Sequence, residues 1–221
     1  MASIAFSHFD SPLRLSHPAG QLFIRIRTTL LGFILAAVIT VPAGALTVIP
    51  PTFEELVAGS GEIVRARVIS VEPFLATSPD GQSIIKTRVV WQVLRQLKGN
   101  NEETLSLDFL GGRVGDDEMR VGGMPEFKKG QEDYLFVEQD TRVFCPLFAA
   151  GHGRYRVLKD ENTGRAYVAR ENGFPLTDVS QVAVPLDEPA LAARAPEAVT
   201  PEAFEAAILG TLGGNSRADA K

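Results

Sequence analysis

From Glu62 onward the chain alternates between apolar and polar positions. Val64, Ala66 and Val68 fall on one face of an extended segment, and Arg65 and Arg67 share the other with Ile63 and Ile69. A period of two with β-branched content predicts a strand. Ser78-Pro-Asp-Gly81 signals a turn, and Ile84 to Leu97 predicts a second, long strand with Ile85, Thr87, Val89, Trp91 and Val93 on one face. Lys98-Gly99-Asn100 ends it, and Leu105, Leu107 and Phe109 alternate in a third strand from Thr104 to Leu110. Gly111 to Lys129 breaks the pattern with Gly111, Gly112, Gly115, Gly122 and Gly123, the acidic run Asp116-Asp-Glu118, and Pro125. This reads as a long loop, and long loops often carry function. Alternation resumes at Asp133 to Glu138, Arg142 to Phe148, Arg154 to Leu158 and Arg165 to Arg170, with Asp160-Glu-Asn-Thr-Gly164 as a hairpin loop.

Helical signals sit at the two ends of this β-rich stretch. Thr52-Phe-Glu-Glu55 is a capping box that predicts a short helix from about Phe53 to Ala58. Near the other end Thr200-Pro-Glu starts a helix, with Pro201 at its first position and Phe204, Ala207, Ile208 and Leu212 forming an apolar stripe. Gly213-Gly214 reads as its cap and Asn215 to Lys221 as a polar tail. The expected fold class is mainly β: a small OB-like barrel of five to seven strands with a short N-terminal helix and a C-terminal helix. The long second strand invites the coiling that lets one strand serve two sheet layers.

The segment before the barrel has a different composition. Arg25 and Arg27 precede the apolar run from Thr28 to Val41, Pro42 ends it, and Ala43-Gly44-Ala45 follows. A basic flank, a short apolar core and a small-x-small site together predict a secretory signal peptide cleaved near Ala45, with export to the periplasm or beyond. The competing reading is a retained anchor, but a spanning helix needs roughly 20 apolar residues and this run is shorter. The chain then divides into a signal peptide (1–45), a β-barrel domain (46–185), a linker rich in Ala and Pro (186–199) and a C-terminal helix with its tail (200–221). No stable membrane insertion is expected once the leader is removed. Residues 46–221 carry nineteen basic and twenty-six acidic side chains. That acidity repels phosphate backbones, so nucleic acid is not expected as a partner.

Removing the leader also leaves a single histidine, His152, since His8 and His17 precede the cleavage point. One histidine excludes His-rich zinc sites and the HExxH motif, and no Gly-x-Ser-x-Gly elbow accompanies it. Cys145 is the sole cysteine, so the chain has no internal disulfide. Cys145 reads as a small buried hydrophobe; the alternatives are an intermolecular pairing or a thiolate activated by His152 across a hairpin. No cofactor, metal site or catalytic residue is expected, and no pattern in the chain specifies an oligomeric state.

The order of elements resembles that of a β-rich family of secreted bacterial proteins. The resemblance is carried by four blocks: Phe53-Glu-Glu-Leu56 before Glu62-Ile-Val-Arg-Ala-Arg-Val68; Val90-Trp-Gln-Val-Leu-Arg-Gln-Leu-Lys-Gly99; Gly122-Gly-Met-Pro-Glu-Phe-Lys-Lys-Gly130 before Tyr134-Leu-Phe-Val137; and Gly151-His-Gly-Arg-Tyr-Arg-Val157. More distantly, the order is similar to the OB-fold of tissue inhibitors of metalloproteinases and netrin-like modules. The resemblance implies an OB-like barrel and a secreted matrixin-type metalloprotease as a partner. It departs where the inhibitors place an N-terminal cysteine on the protease zinc: the end expected here is Leu46-Thr-Val-Ile49, so that role passes to no residue.

Three functions compete. The first is a non-catalytic binding module with a protein partner, using Asp116, Asp117, Glu118, Met124, Pro125 and Phe127 of the Gly-rich loop. The second is an enzyme or metal-binding protein using Asp108, Asp116, Asp117 and Glu118 as acid/base groups or ligands. The third is an OB barrel for nucleic acid, which the net charge opposes. Trp91 and Tyr134 lie in apolar strand patterns and read as core, and Arg65 and Arg67 as a solvated strand face.

Overall fold

In the computed structural model, residues 49–141, 144–186 and 194–218 are described. They belong to one compact unit, which begins at Thr47. The expected leader (1–45), Arg142-Val143, residues 187–193 of the expected linker and the last three residues lie outside the described residues.

The elements run α1 (Phe53–Gly59), β1 (Glu62–Thr77), β2 (Ser83–Lys98), β3 (Thr104–Leu110), β4 (Gly112–Val114), β5 (Asp117–Met119), β6 (Glu132–Val137), a 3-10 turn (Ala150–Gly153), β7 (Arg154–Lys159), β8 (Ala166–Arg170), further 3-10 turns at Val179–Ala183 and Ala195–Glu197, and α2 (Pro201–Ala218). The capping box of α1 forms: the Glu55 amide donates to Thr52 Oγ1 at 3.2 Å and the Thr52 amide donates to Glu55 Oε2 at 2.8 Å. Phe53, Leu56 and Val57 turn into the core.

Six strands form one antiparallel sheet in the order β3-β2-β1-β6-β7-β8, and β4-β5 form a separate hairpin. β1 pairs with β2 from Ile63 to Thr77 but with β6 only over Glu62–Arg67. The register of β1 against β2 skips Ile69 on one strand and Leu94 and Leu97 on the other. Each skipped residue is a bulge, and bulges increase local twist and bend the strand. The coiling expected of this long hairpin therefore has three identifiable causes.

The fold is mainly β, as expected, but the sheet does not close into a barrel: β3 and β8 are its two edges. β6 is only six residues long and gives Asp133–Leu135 to β7, leaving its last residues for the chain that follows. There the expected strand from Arg142 to Phe148 is reduced, within its described part, to a bridge between Val137 and Leu147. The Phe148 amide donates to Phe136 O and the Glu138 amide to Pro146 O, while Leu110 of β3 donates to Phe144 O at 3.2 Å. Pro146 has no N–H to extend the ladder. The segment thus spans the gap between β6 and β3 without becoming a strand. At the other edge, Val168 of β8 exchanges backbone hydrogen bonds with Val199 and Leu176, which covers the strand.

Both faces of the bent sheet are packed. On the convex face Ile63, Tyr134, Phe136 and Tyr155 meet α1 and α2, with Phe204 of α2 at 5.1 Å from Tyr134 and 5.2 Å from Tyr155 between ring centroids. On the concave face Val64, Ala66, Val68, Val89, Trp91, Leu107 and Phe109 form a second core that also takes Leu135, Cys145 and Leu147. Trp91 and Tyr134 are fully buried, as their strand positions implied.

Arg67 is exposed, as expected of a solvated strand face, whereas Arg65 corrects that expectation. Arg65 Nε donates to Glu132 at 2.6 Å and its NH1 reaches Glu205 of α2 at 3.4 Å, while Arg67 donates to Glu132 at 3.0 Å. α2 covers this end of the face. Its Glu205, 3% exposed, also accepts from the Tyr134 hydroxyl at 2.9 Å and from Arg95. α2 runs through Gly213 and Gly214, expected as its cap, to Ala218. Neither glycine has the positive φ that a left-handed cap requires, and an exposed helical glycine costs only about 1 kcal/mol.

Replacing Glu205 tests this clamp. Arg65 and Arg95 are 26% and 53% exposed and can solvate themselves. Glu205→Ala is therefore expected to cost about 2 kcal/mol, below the roughly 3–5 kcal/mol of a fully buried pair. Urea unfolding reads it directly; an unchanged midpoint would mean that Phe204 and Ile208 alone seat the helix.

Candidate functional site

The Gly-rich stretch begins with a close backbone crossing. Gly111 and Gly112 follow β3 with φ of +105° and +136°. The Gly111 amide donates to Ile85 O at 2.8 Å, and the Thr87 hydroxyl donates to Gly111 O at 2.7 Å. A Cβ on Gly112 would lie 2.4 Å from Thr87 Oγ1 and 3.2 Å from Pro73 Cβ, so only glycine passes here. The crossing directs the β4–β5 hairpin over the end of the sheet. Gly115, at φ +60°, makes its two-residue turn with Asp116.

Between this hairpin, the returning loop and the concave face lies a cleft of about 520 Å³. Its floor is Val71, Val89 and Phe109, so it opens onto the end of the concave core. Val121, Met124 and Phe127 of the loop make a wall, with Gly122 and Pro125 beside them, and Arg113, Glu118, Arg120 and Glu126 stand at the mouth. Met124, Pro125 and Phe127 thus belong to the site, although Met124 and Phe127 turn inward onto the core. Glu118 is held between Arg113 NH2 and Arg120 Nε, each at 2.8 Å. The hydrogen bond from Arg120, then Arg113, keeps its carboxyl below the usual range. Asp116 and Asp117 are exposed at the hairpin tip.

The acidic set expected for acid/base chemistry is not assembled. Asp108 of β3 lies directly opposite Arg88 of β2, which grips it with Nε at 2.7 Å and NH2 at 2.9 Å. Glu118 is committed to its two arginines. Among the described residues no three His, Cys, Asp or Glu side chains gather as a metal site. The described lining residues of the cleft include no His, Cys, Ser or Lys.

Cys145 packs in the concave core at 4% exposure, and burial pushes its thiol up to about 11. A thiol neutral at pH 7 is a poor nucleophile, so Cys145 reads as core and not as half of a dyad. His152 is buried in the 3-10 turn Ala150–Gly153.

The residues that fix the loop escaped the sequence reading. Arg154 of β7 is 1% exposed and Asp133 of β6 is fully buried, joined by Nε–Oδ1 at 3.0 Å and NH2–Oδ2 at 3.2 Å. The same guanidinium donates to Glu126 O at 2.7 Å and Gln131 Oε1 at 3.1 Å, and lies 4.1 Å above the Phe127 ring centroid. Its NH1 also meets Glu171 at 3.1 Å. Arg154 therefore holds both the backbone and the aromatic ring of the cleft wall. Phe127 in turn lies edge-on to Trp91 at 5.1 Å. One signal was present: Asp133 shares a strand face with Leu135 and Val137, a position where a charge requires a partner. Burial raises the Asp133 carboxyl against the pull of Arg154, and burial raises Glu171 from 4.5 to about 7.

Compared with protein-family models and with curated proteins, the chain matches none.

Two outcomes follow from these burials. Folded protein at pH 7.5 is expected to resist iodoacetamide at Cys145 and to react fully in denaturant; rapid labelling of the native state would place the thiol at the surface. For Glu171, the folded state binds the proton more tightly than the unfolded chain does. Its contribution is fully present below the unfolded value and is lost as pH rises through about 7. Glu171→Gln removes that loss, so the stability of the variant relative to the parent should rise between pH 5 and pH 8 by on the order of 2 kcal/mol. Thermal unfolding at the two pH values reads the difference, and a parallel pair of curves would refute the assignment.

Proposed function

We propose that the protein is an exported, non-catalytic binding module that takes a segment of a partner protein into the cleft beneath the β4–β5 hairpin. One observation carries the reading: an apolar floor continuous with the concave core, walled by a loop that a buried arginine holds in place. Pre-formed concave sites with an apolar lining and a few polar groups at the rim are where proteins bind ligands, the mouths of β-barrels among them. In our reading the open, bent sheet is an OB-like half-barrel. A secreted metalloprotease is the partner that the resemblance to secreted bacterial proteins and to metalloproteinase inhibitors implies. Contact would be made through the cleft and not through an N-terminal cysteine. Export rests on the leader pattern ahead of Leu46. The enzyme alternative asks Asp108, Asp116, Asp117 and Glu118 to act; Asp108 is bound to Arg88, Glu118 to Arg113 and Arg120, and Asp116 and Asp117 are exposed at the hairpin tip outside the cleft lining.

Gly122 provides the test. It lines the cleft, has no atom within 4 Å of an added Cβ, and lacks a positive φ. Gly122→Trp should fill the mouth without strain. Residues 46–221, immobilised, should retain a protein from the secreted fraction of the source, and the variant should retain at least about tenfold less while unfolding at the same midpoint. Equal retention by both proteins would exclude the cleft as the site. Peptidase or esterase turnover that His152→Ala abolishes would overturn the non-catalytic reading.

A further inference from the structure

We propose that the wall of the cleft is a pH-sensitive gate: the Glu126–Phe127 segment is seated while Glu171 carries a proton and is released when Glu171 ionises. The gate is a property of the wall itself, needs no ligand, and goes beyond the binding reading.

The geometry is that of one cation with every donor in use. A guanidinium has five N–H groups. Those of Arg154 go to Asp133 Oδ1 from Nε, to Asp133 Oδ2 and Gln131 Oε1 from NH2, and to Glu126 O and Glu171 Oε1 from NH1. Glu171 Oε2 lies 3.1 Å from NH1, but it is buried and receives no hydrogen bond from the described residues. Arg154 has none left to give it. A buried carboxylate oxygen without a donor is costly, and the protonated form is much less so. Asp133, fully buried, already balances the charge of Arg154. An ionised Glu171 therefore adds a second negative charge to a pair that is complete without it.

The other elements around Glu171 offer no replacement. On β7, Arg156 stands opposite Asp133, but it is half-buried against Gly173 and leaves Glu171 Oε2 unbonded. From the concave core the Cys145 thiol faces it, uncharged at pH 7. A Cβ added to Gly151 would lie 3.6 Å from Glu171 Cγ and 4.0 Å from Gly123 O, so Glu171 and the Gly-rich loop meet around this glycine. His152 is the titratable group of that turn and is buried in it.

Burial, against the pull of Arg154, raises the Glu171 carboxyl from 4.5 to about 7, and burial raises Asp133 as well. A carboxyl that holds its proton more tightly beside the seated wall than in water opposes the seated state once it ionises. The seated wall is thus favoured below about pH 7 and loses ground above it. Release takes one of two routes: NH1 turns from Glu126 O to Glu171 Oε2, or water enters around Gly151. Either one frees Glu126 and the Phe127 ring, which Arg154 otherwise holds through NH1 and its π face.

Trp91 reports the movement. It is the only tryptophan and is fully buried, with Phe127 edge-on to it at 5.1 Å. Acrylamide quenching of Trp91 in the purified protein should be weak at pH 5.5 and rise at least about threefold by pH 8.5, with a midpoint near 7 and unchanged far-UV circular dichroism. Glu171→Gln and Glu171→Ala should both lose the pH dependence, the first remaining at the weakly quenched level. His152→Asn should keep it, although histidine ordinarily titrates in the same range. A parent protein that is flat in pH, a rise that survives both Glu171 variants, a rise that His152→Asn abolishes, or one that accompanies loss of secondary structure would each overturn the gate.

Discussion

Arg154 has been taken out of water and given five partners. A lone guanidinium in such a place would be prohibitively unfavourable, and even a buried ion pair gains little over apolar residues of the same shape. What the arrangement supplies is position. Asp133 fixes the guanidinium plane with a two-point contact. The remaining donors then face the Glu126 carbonyl, Gln131 and Glu171, and the π face covers Phe127. Phe127 is consequently held between a cation on one side and Trp91 and Phe109 on the other. A glycine-rich segment has little backbone stiffness of its own. Its rigidity at the cleft wall is borrowed from β6 and β7 through this one side chain.

Glu205 does the same work with the charges reversed. There the buried group is an anion on α2, and the sheet supplies Arg65, Arg95 and Tyr134 around it. The two clamps lie on opposite faces of the sheet, and each ties a weakly self-stabilised segment to it. α2 contains Gly210, Gly213 and Gly214 and gains its seat from its first half, where Phe204 and Ile208 are buried. Polar groups that are fully satisfied in this way specify one arrangement among the many that apolar contact would allow.

The strands were legible because alternation is a local consequence of the pleat. Val64, Ala66 and Val68, or Val89 and Trp91, declare their face with no knowledge of what covers it. The convex-face helices were legible through Thr52, Glu55 and Pro201 for the same reason. Closure was not legible, because it depends on how β6 divides its free edge between β7 and the Phe144–Phe148 segment, and no pattern in either reports that division. In the loop, Met124, Pro125 and Phe127 were singled out by composition. The groups that hold them, Asp133 and Arg154, lie on strands whose periodicity looked ordinary, and their pairing is a diagonal contact between neighbouring strands. Arg65 looked solvated because the helix whose Glu205 it meets lies far along the chain.

The failure to close is also the physical origin of the cleft. A closed barrel fills its interior with side chains from every strand. Here the concave core of Val89, Trp91 and Phe109 must be covered by chain that is not strand: Phe144–Phe148 on one side and the Gly-rich loop at one end. Loops carry their own backbone polar groups and cannot pack as densely as a strand that has its ladder partners. Coverage at that end is therefore incomplete, and the shortfall appears as an apolar floor beneath a polar rim. The Gly111–Gly112 crossing brings the hairpin's backbone close over the sheet, because Thr87 bonds Gly111 O and, with Pro73, leaves no space for a side chain at Gly112. An open sheet, a glycine crossing and a buried arginine are together sufficient to hold a cleft open where a longer β6 would have sealed it.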